Sequence, residues 1–148
     1  MALNKKLNRG FTIVELLIVI VVIGILAALV IVTYNGIQQK ARDTERKTDI
    51  NAIASHLEAF NAQSGRYPTL ANANDSTFRS ANMKGLDSAA LQDPKGAAQT
   101  LVAAPAANSY AYAVTPAGCD NAANGDCTQY TLTATLEAGG TYVKQSLN

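Results

Sequence analysis

One carboxylate stands inside a long apolar run. From Phe11 to Val32, "FTIVELLIVIVVIGILAALVIV", the 22 residues hold a single ionisable side chain, Glu15. A charge in such surroundings is costly, so it asks for a partner. The other groups with chemical potential lie far downstream. Cys119 and Cys127 enclose the polar stretch "DNAANGD". Zinc is disfavoured there, because two cysteines with no nearby histidine do not complete four ligands. Asp120, Asn121, Asn124 and Asp126 supply oxygen ligands that suit calcium, but their spacing does not match the D-x-[DN]-x-[DN]-G loop. A solvated loop is the better reading, and no metal or other cofactor is expected. His56 is the only histidine. Ser55 and Glu58 near it form no triad, since helix neighbours one or two apart point in different directions. Nothing after residue 35 assembles nucleophile, base and oxyanion donors, so the chain is not read as an enzyme. Tyr110, Tyr112, Tyr130 and Tyr142 are read as strand packing, because base stacking would need basic residues interleaved with them.

The elements that must position these groups follow from the pattern. The 148 residues suffice for one modest domain, and a net charge of +1 gives no sign of nucleic-acid binding. At 1.5 Å per residue the apolar run spans about 33 Å, the thickness of a bilayer core. No small-residue cleavage site with a break follows, and the helical pattern continues past Tyr34, unlike a secretory signal peptide. Lys5, Lys6 and Arg9 precede the run without an acid. The positive-inside rule then puts residues 1–10 in the cytoplasm and residues from about 35 onward outside. Outside the cytoplasm, Cys119 and Cys127 are expected to form a disulfide. It would act as a staple between two strands or frame an exposed recognition loop.

Residues 11 to about 63 read as one helix, roughly 80 Å long if continuous. Its second half is amphipathic through Ile50, Ile53, Ala54, Leu57 and Phe60. Arg42, Asp43, Glu45, Arg46 and Lys47 look like an exposed mixed-charge stretch with an Asp43–Lys47 pair. Gly65 and Pro68 stop the helix. Residues 64–107 read as irregular, with short helical turns at Asp75–Met83 and Asp87–Gln92. There Leu70, Phe78, Met83, Leu86, Leu91 and Leu101 should dip into a core. Residues 108–148 alternate with a two-residue period in "SYAYAV" and "QYTLTATLE", and Gly139-Gly140 suits a hairpin turn into "TYVKQSL". The fold class is α+β: a long N-terminal helix packed on a small antiparallel sheet of three or four strands.

A basic leader ending in Gly10, then Phe11-Thr12 and a glutamate four residues after the phenylalanine, resembles the class III leader of type IV pilins and pseudopilins. The resemblance is close over residues 5–68 and looser over the helix, loop, sheet and cysteine-loop layout. It implies cleavage between Gly10 and Phe11 by a prepilin peptidase and N-methylation of Phe11. Glycine suits the cut because a residue without a side chain lets the enzyme approach the backbone. Leader loss takes the basic residues from 12 to 9 against 11 acids. The family picture has Glu15 and Phe11 act in assembly, the glutamate pairing with the amine of a neighbour. The physics supports a registering role, since apolar helices gain little from each other in lipid. A mismatched register would strand a charge at about 3–5 kcal/mol. Many members carry a proline about twenty-two residues into the mature chain; here Val32 stands there, so no proline kink is expected.

The resemblance divides the chain into a leader (1–10), a transmembrane and filament-core helix (11–34) and an extracytoplasmic globular part (35–148). The leading expectation is a body subunit of a type IV pilus serving adhesion, twitching motility or DNA uptake. Its partners would be copies of itself as a helical homopolymer, the membrane before assembly, the peptidase, an assembly ATPase and a membrane platform protein. The motor must be another protein, since no G-x-x-x-x-G-K-[ST] loop is present. The chain would sit in the inner membrane with a cytoplasmic N-terminus and then enter an extracellular filament. The alternative is a pseudopilin of a type II secretion system. Against it, such proteins usually carry a calcium-binding C-terminal loop and lack this cysteine pair.

Overall fold

The computed structural model describes residues 10–122 and 125–147. Lys5, Lys6 and Arg9 of the leader and Asn124 of the cysteine loop therefore lie outside the described residues. The chain forms two units, Met1–Gln38 and Gln39–Asn148, and each is taken by itself. In the first, helix α1 (Ile13–Ser64) begins, and its large apolar side chains from Ile13 to Ile37 are all exposed. This stretch is long and apolar enough to cross a membrane.

In the second unit the remainder of α1 turns its stripe of Ile50, Ile53, Ala54 and Leu57 inward. The helix stops as its sequence requires. Gly65 takes a left-handed φ of 73°, and its N–H bonds to the Asn61 carbonyl at 2.7 Å. Two short helices follow, α2 (Leu70–Asn74), capped by Thr69, and α3 (Ser76–Asn82), capped by Asp75. A 3-10 turn at Ser88–Leu91 is capped by Asp87.

Strands β1 (Tyr110–Thr115), β2 (Gln129–Thr135) and β3 (Thr141–Gln145) form an antiparallel sheet in that order. Tyr110, Tyr112, Tyr130, Leu132 and Ala134 join Ile50, Ile53 and Leu57 in one core. Burying each such aliphatic side chain contributes about 1.5–3 kcal/mol. Asp49 and Asn51 of α1 accept hydrogen bonds from the hydroxyls of Tyr110 (2.7 Å) and Tyr142 (3.1 Å). Helix and sheet are thus joined by polar contacts as well as packing.

Met83, Leu91 and Leu101 are buried as expected, with Leu70, Phe78 and Leu86 packed partly against them. Two details differ from the sequence reading. Helix α2 lies within the span read as irregular. Thr133 is buried on the face read as polar, flanked by its cross-strand neighbours Ala111 and Val143.

Candidate assembly motif and buried ionic cluster

Gly10 and Phe11 precede α1, with Phe11 81% exposed. Thr12 caps the helix. Its Oγ1 accepts the Glu15 N–H at 3.2 Å, while Glu15 Oε2 accepts the Thr12 N–H at 2.9 Å and its hydroxyl at 2.6 Å. This is a reciprocal capping box, and it places a carboxylate at the positive end of the helix dipole. The carboxylate thereby has two donors from its own chain before any partner arrives. The signal was present as T-x-x-E ahead of an apolar run, although the sequence reading gave Glu15 only an intermolecular role.

A second constellation sits on α1 within the other unit, and it corrects the sequence reading. Asp43 and Arg46 are buried rather than exposed, and Arg46 is only 1% accessible. Arg46 makes a two-bond fork with Asp93, Nε–Oδ2 at 2.6 Å and Nη2–Oδ1 at 2.9 Å. Its Nη1 donates to Asp43 (2.8 Å) and Glu137 (3.0 Å). Glu137 is also forked by Arg42 at 2.6 and 2.7 Å and reached by Lys95 at 3.0 Å.

Asp43 pairs with Arg46, not with Lys47. Its other contacts are the N–H groups of Glu137 and Ala138 in the β2–β3 turn, at 2.8 and 3.0 Å. Lys47 instead lies over the Tyr142 ring. Burial opposes the charge on Asp43, but those backbone donors and the guanidinium outweigh it and hold its carboxyl below the usual range. The Arg42 guanidinium, helped by Lys95 and Arg46, holds Glu137 far below that range. Three cations and three carboxylates thus tie α1 to the Asp93–Lys95 loop and the β2–β3 turn. A sequence signal existed for part of this. Asp43, Arg46, Ile50, Ile53 and Leu57 continue one stripe at spacings of three and four, so the polar pair falls on the buried face.

Cys119 and Cys127 are joined in a disulfide. The Cys127 carbonyl accepts the Tyr67 N–H at 2.8 Å, linking the loop to the segment just after α1.

Comparisons with known proteins bear on both constellations. The prokaryotic N-terminal methylation motif matches residues 5–31, and the profile of type II secretion system protein G matches residues 33–135. The chain belongs to the type II secretion system protein G family. It is 33% identical over 103 residues to the core protein G of Escherichia coli, covering 70% of each chain. It is 38% identical over 65 residues to the core protein G of Dickeya chrysanthemi, 44% of this chain and 42% of that one. The type IV major pilin protein PilA of Myxococcus xanthus is 40% identical over 65 residues, 44% of this chain and 30% of the pilin. The chain spans well under two thirds of the length of the last two relatives. No solved structure matches it.

In the cysteine loop the oxygens of the described residues are engaged within the chain itself. Asp120 Oδ1 accepts the Ala122 N–H at 2.9 Å, and Asn121 Oδ1 accepts the Cys127 N–H at 2.9 Å. A cation already lies among the loop oxygens. Arg66 Nη1 is 3.1 Å from both Asp126 Oδ1 and the Asn121 carbonyl. Among the described residues of the loop the Arg66 guanidinium, not a set of six to eight oxygens, is what faces Asp126. The family is one of structural subunits; His56 is half-buried on α1.

Proposed function

We propose that this chain is a body subunit of a type II secretion pseudopilus. A prepilin peptidase would cut between Gly10 and Phe11 and Phe11 would be N-methylated. The apolar half of α1 would serve first as a membrane anchor and then as filament core. The observation that carries this reading is the protein G match over residues 33–135, which runs beyond the N-terminal segment shared with pilins and includes β2. It reverses the order of preference drawn from the sequence, which put the surface pilus first.

In this reading residues 1–10 are a cytoplasmic leader, 11–34 the span and 35–148 the extracytoplasmic part. Glu15 registers an incoming subunit against the amine of a neighbour's Phe11, since a mismatch would strand a charge in an apolar bundle. Extraction from lipid gains little from helix packing, so a separate ATPase and platform protein must drive it. One observation favours the surface-pilus reading: the Cys119–Cys127 bridge, a cysteine pair that pseudopilins usually lack.

The test is removal of the chain from its native bacterium. Loss of exported enzymes from the medium, with surface filaments intact, supports the secretion reading. Loss of sheared filaments with secretion unchanged moves the chain to the pilus. An intact mass that still includes Met1–Gly10 would sink both.

A further inference from the structure

We propose that the pocket between α3, Lys84 and the 3-10 turn binds a tetrahedral oxyanion of the phosphate class. The motive is Arg79, a buried cation only 7% exposed. Its hydrogen bonds reach neutral acceptors, the Ala73 carbonyl at 2.9 Å and Ser88 Oγ at 3.4 Å. Among the described residues the ion pairs involve Arg42, Arg46, Arg66 and Lys95, and none involves Arg79 or Lys84. The contrast with Arg46 is direct: Arg46, also buried, is neutralised by Asp93 and Asp43. Burying a cation without its counter-charge is expensive, so Arg79 is a place where an external anion is favoured.

The surroundings suit that anion. A cavity of about 380 Å³ adjoins Arg79, lined also by Ser76, Ser80, Met83, Lys84 and Ser88. Among the described residues no carboxylate lines it. Asp75 and Asp87, at the ends of the neighbouring turns, are occupied in capping the N–H groups of Thr77 and Ala89. Ser76, Arg79 and Ser80 stand at i, i+3 and i+4 of α3, one face of the helix. Lys84 and Ser88 line it from the following segments. The Ser80 hydroxyl donates to the Thr77 carbonyl at 2.9 Å, so the cations Arg79 and Lys84 with the Ser76 and Ser88 hydroxyls are the groups offered to an anion. A tetrahedral group uses such a set better than a planar carboxylate, which needs only the guanidinium fork. The cavity leaves room for whatever carries the phosphate.

The experiment uses the full chain in detergent micelles with 15N-labelled arginine. The Arg79 Nε–H resonance is followed at constant ionic strength against inorganic phosphate, glucose 6-phosphate and, as controls, acetate and chloride. A saturable shift with Kd of about 1 mM or tighter is expected for phosphate or its ester and not for the controls. Tighter binding of the ester identifies a carried phosphate; equal or weaker binding identifies the free ion. Lys84 is exposed, so Lys84→Ala keeps the fold, as a thermal melt checks, and should weaken binding about tenfold. No saturable shift, an equal response to acetate or chloride, or a Lys84→Ala chain that binds as the parent does would overturn the proposal.

Discussion

Thr12 and Glu15 do two jobs with one pair of side chains, starting a helix and holding a carboxylate. Replacing Thr12 by Val removes the hydroxyl that accepts from Glu15 and donates back to it. The cap should lose about 1 kcal/mol, read as earlier fraying of residues 13–16 by amide exchange in micelles. Thr12→Ser should restore it. Glu15→Ala should leave a processed, membrane-held chain that does not polymerise; unchanged filament yield by electron microscopy would refute its registering role. At Arg46 the stake is stability. Arg46→Met takes the guanidinium fork from the buried Asp93 and one donor from Asp43, and should cost about 3–5 kcal/mol in urea unfolding. Adding Asp93→Leu should return part of that loss, since the stranded charge goes with it. These residues mark the limit of what the sequence disclosed. Glu15 was conspicuous because its surroundings are apolar. Arg46 was not, because charges on a helix surface are ordinary, and its counter-charge Asp93 lies 47 positions away in a loop.

At the scale of elements, the disulfide loop is held by the Cys119–Cys127 bridge and by polar bonds of Arg66 and Asn121. Reduction should lower stability by about 2–3 kcal/mol, while a chelator should leave the melting temperature unchanged. A chelator-sensitive melt would mean that an ion contributes after all. The strands were legible because their two-residue alternation matches the side chains that reach the core. So was the end of α1, where Gly65 supplies the left-handed turn a helix end favours. The short α2 was not legible. Five residues give no periodicity, and only Thr69 after Pro68 hinted at a start. The β2–β3 connection was read correctly as a hairpin from Gly139 and Gly140, both with positive φ. Its second use, presenting the Glu137 and Ala138 N–H groups to Asp43, depends on a partner 94 positions earlier.

For the molecule as a whole, pH dependence follows from the same groups. Asp43 and Glu137 are held below the ordinary carboxylate range, so their contribution is complete above it. It is lost as pH falls through about 4 and on toward their depressed folded values. Asp49, pushed up by burial, acts in the opposite sense. On the alkaline side, burial first and the Glu58 carboxylate second push the Tyr67 hydroxyl up to about 12. Its contribution is whole below about 10 and lost as pH rises toward the folded value. Burial likewise raises Tyr110, Tyr112 and Tyr130. Circular dichroism and tyrosinate absorbance should therefore show alkaline unfolding coinciding with tyrosine ionisation. Ordinary titration of Tyr67, Tyr110, Tyr112 and Tyr130 in a folded chain would refute this. The ionic cluster has a mechanical consequence too. Tension carried along α1 toward its C-terminal end reaches Arg42, Asp43 and Arg46 before it reaches the apolar core. The first bonds loaded are short, multiply forked and directional, a brittle clasp ahead of a softer packed interior. Under such a load the folded unit is expected to yield in sequence, ion pairs before hydrophobic contacts.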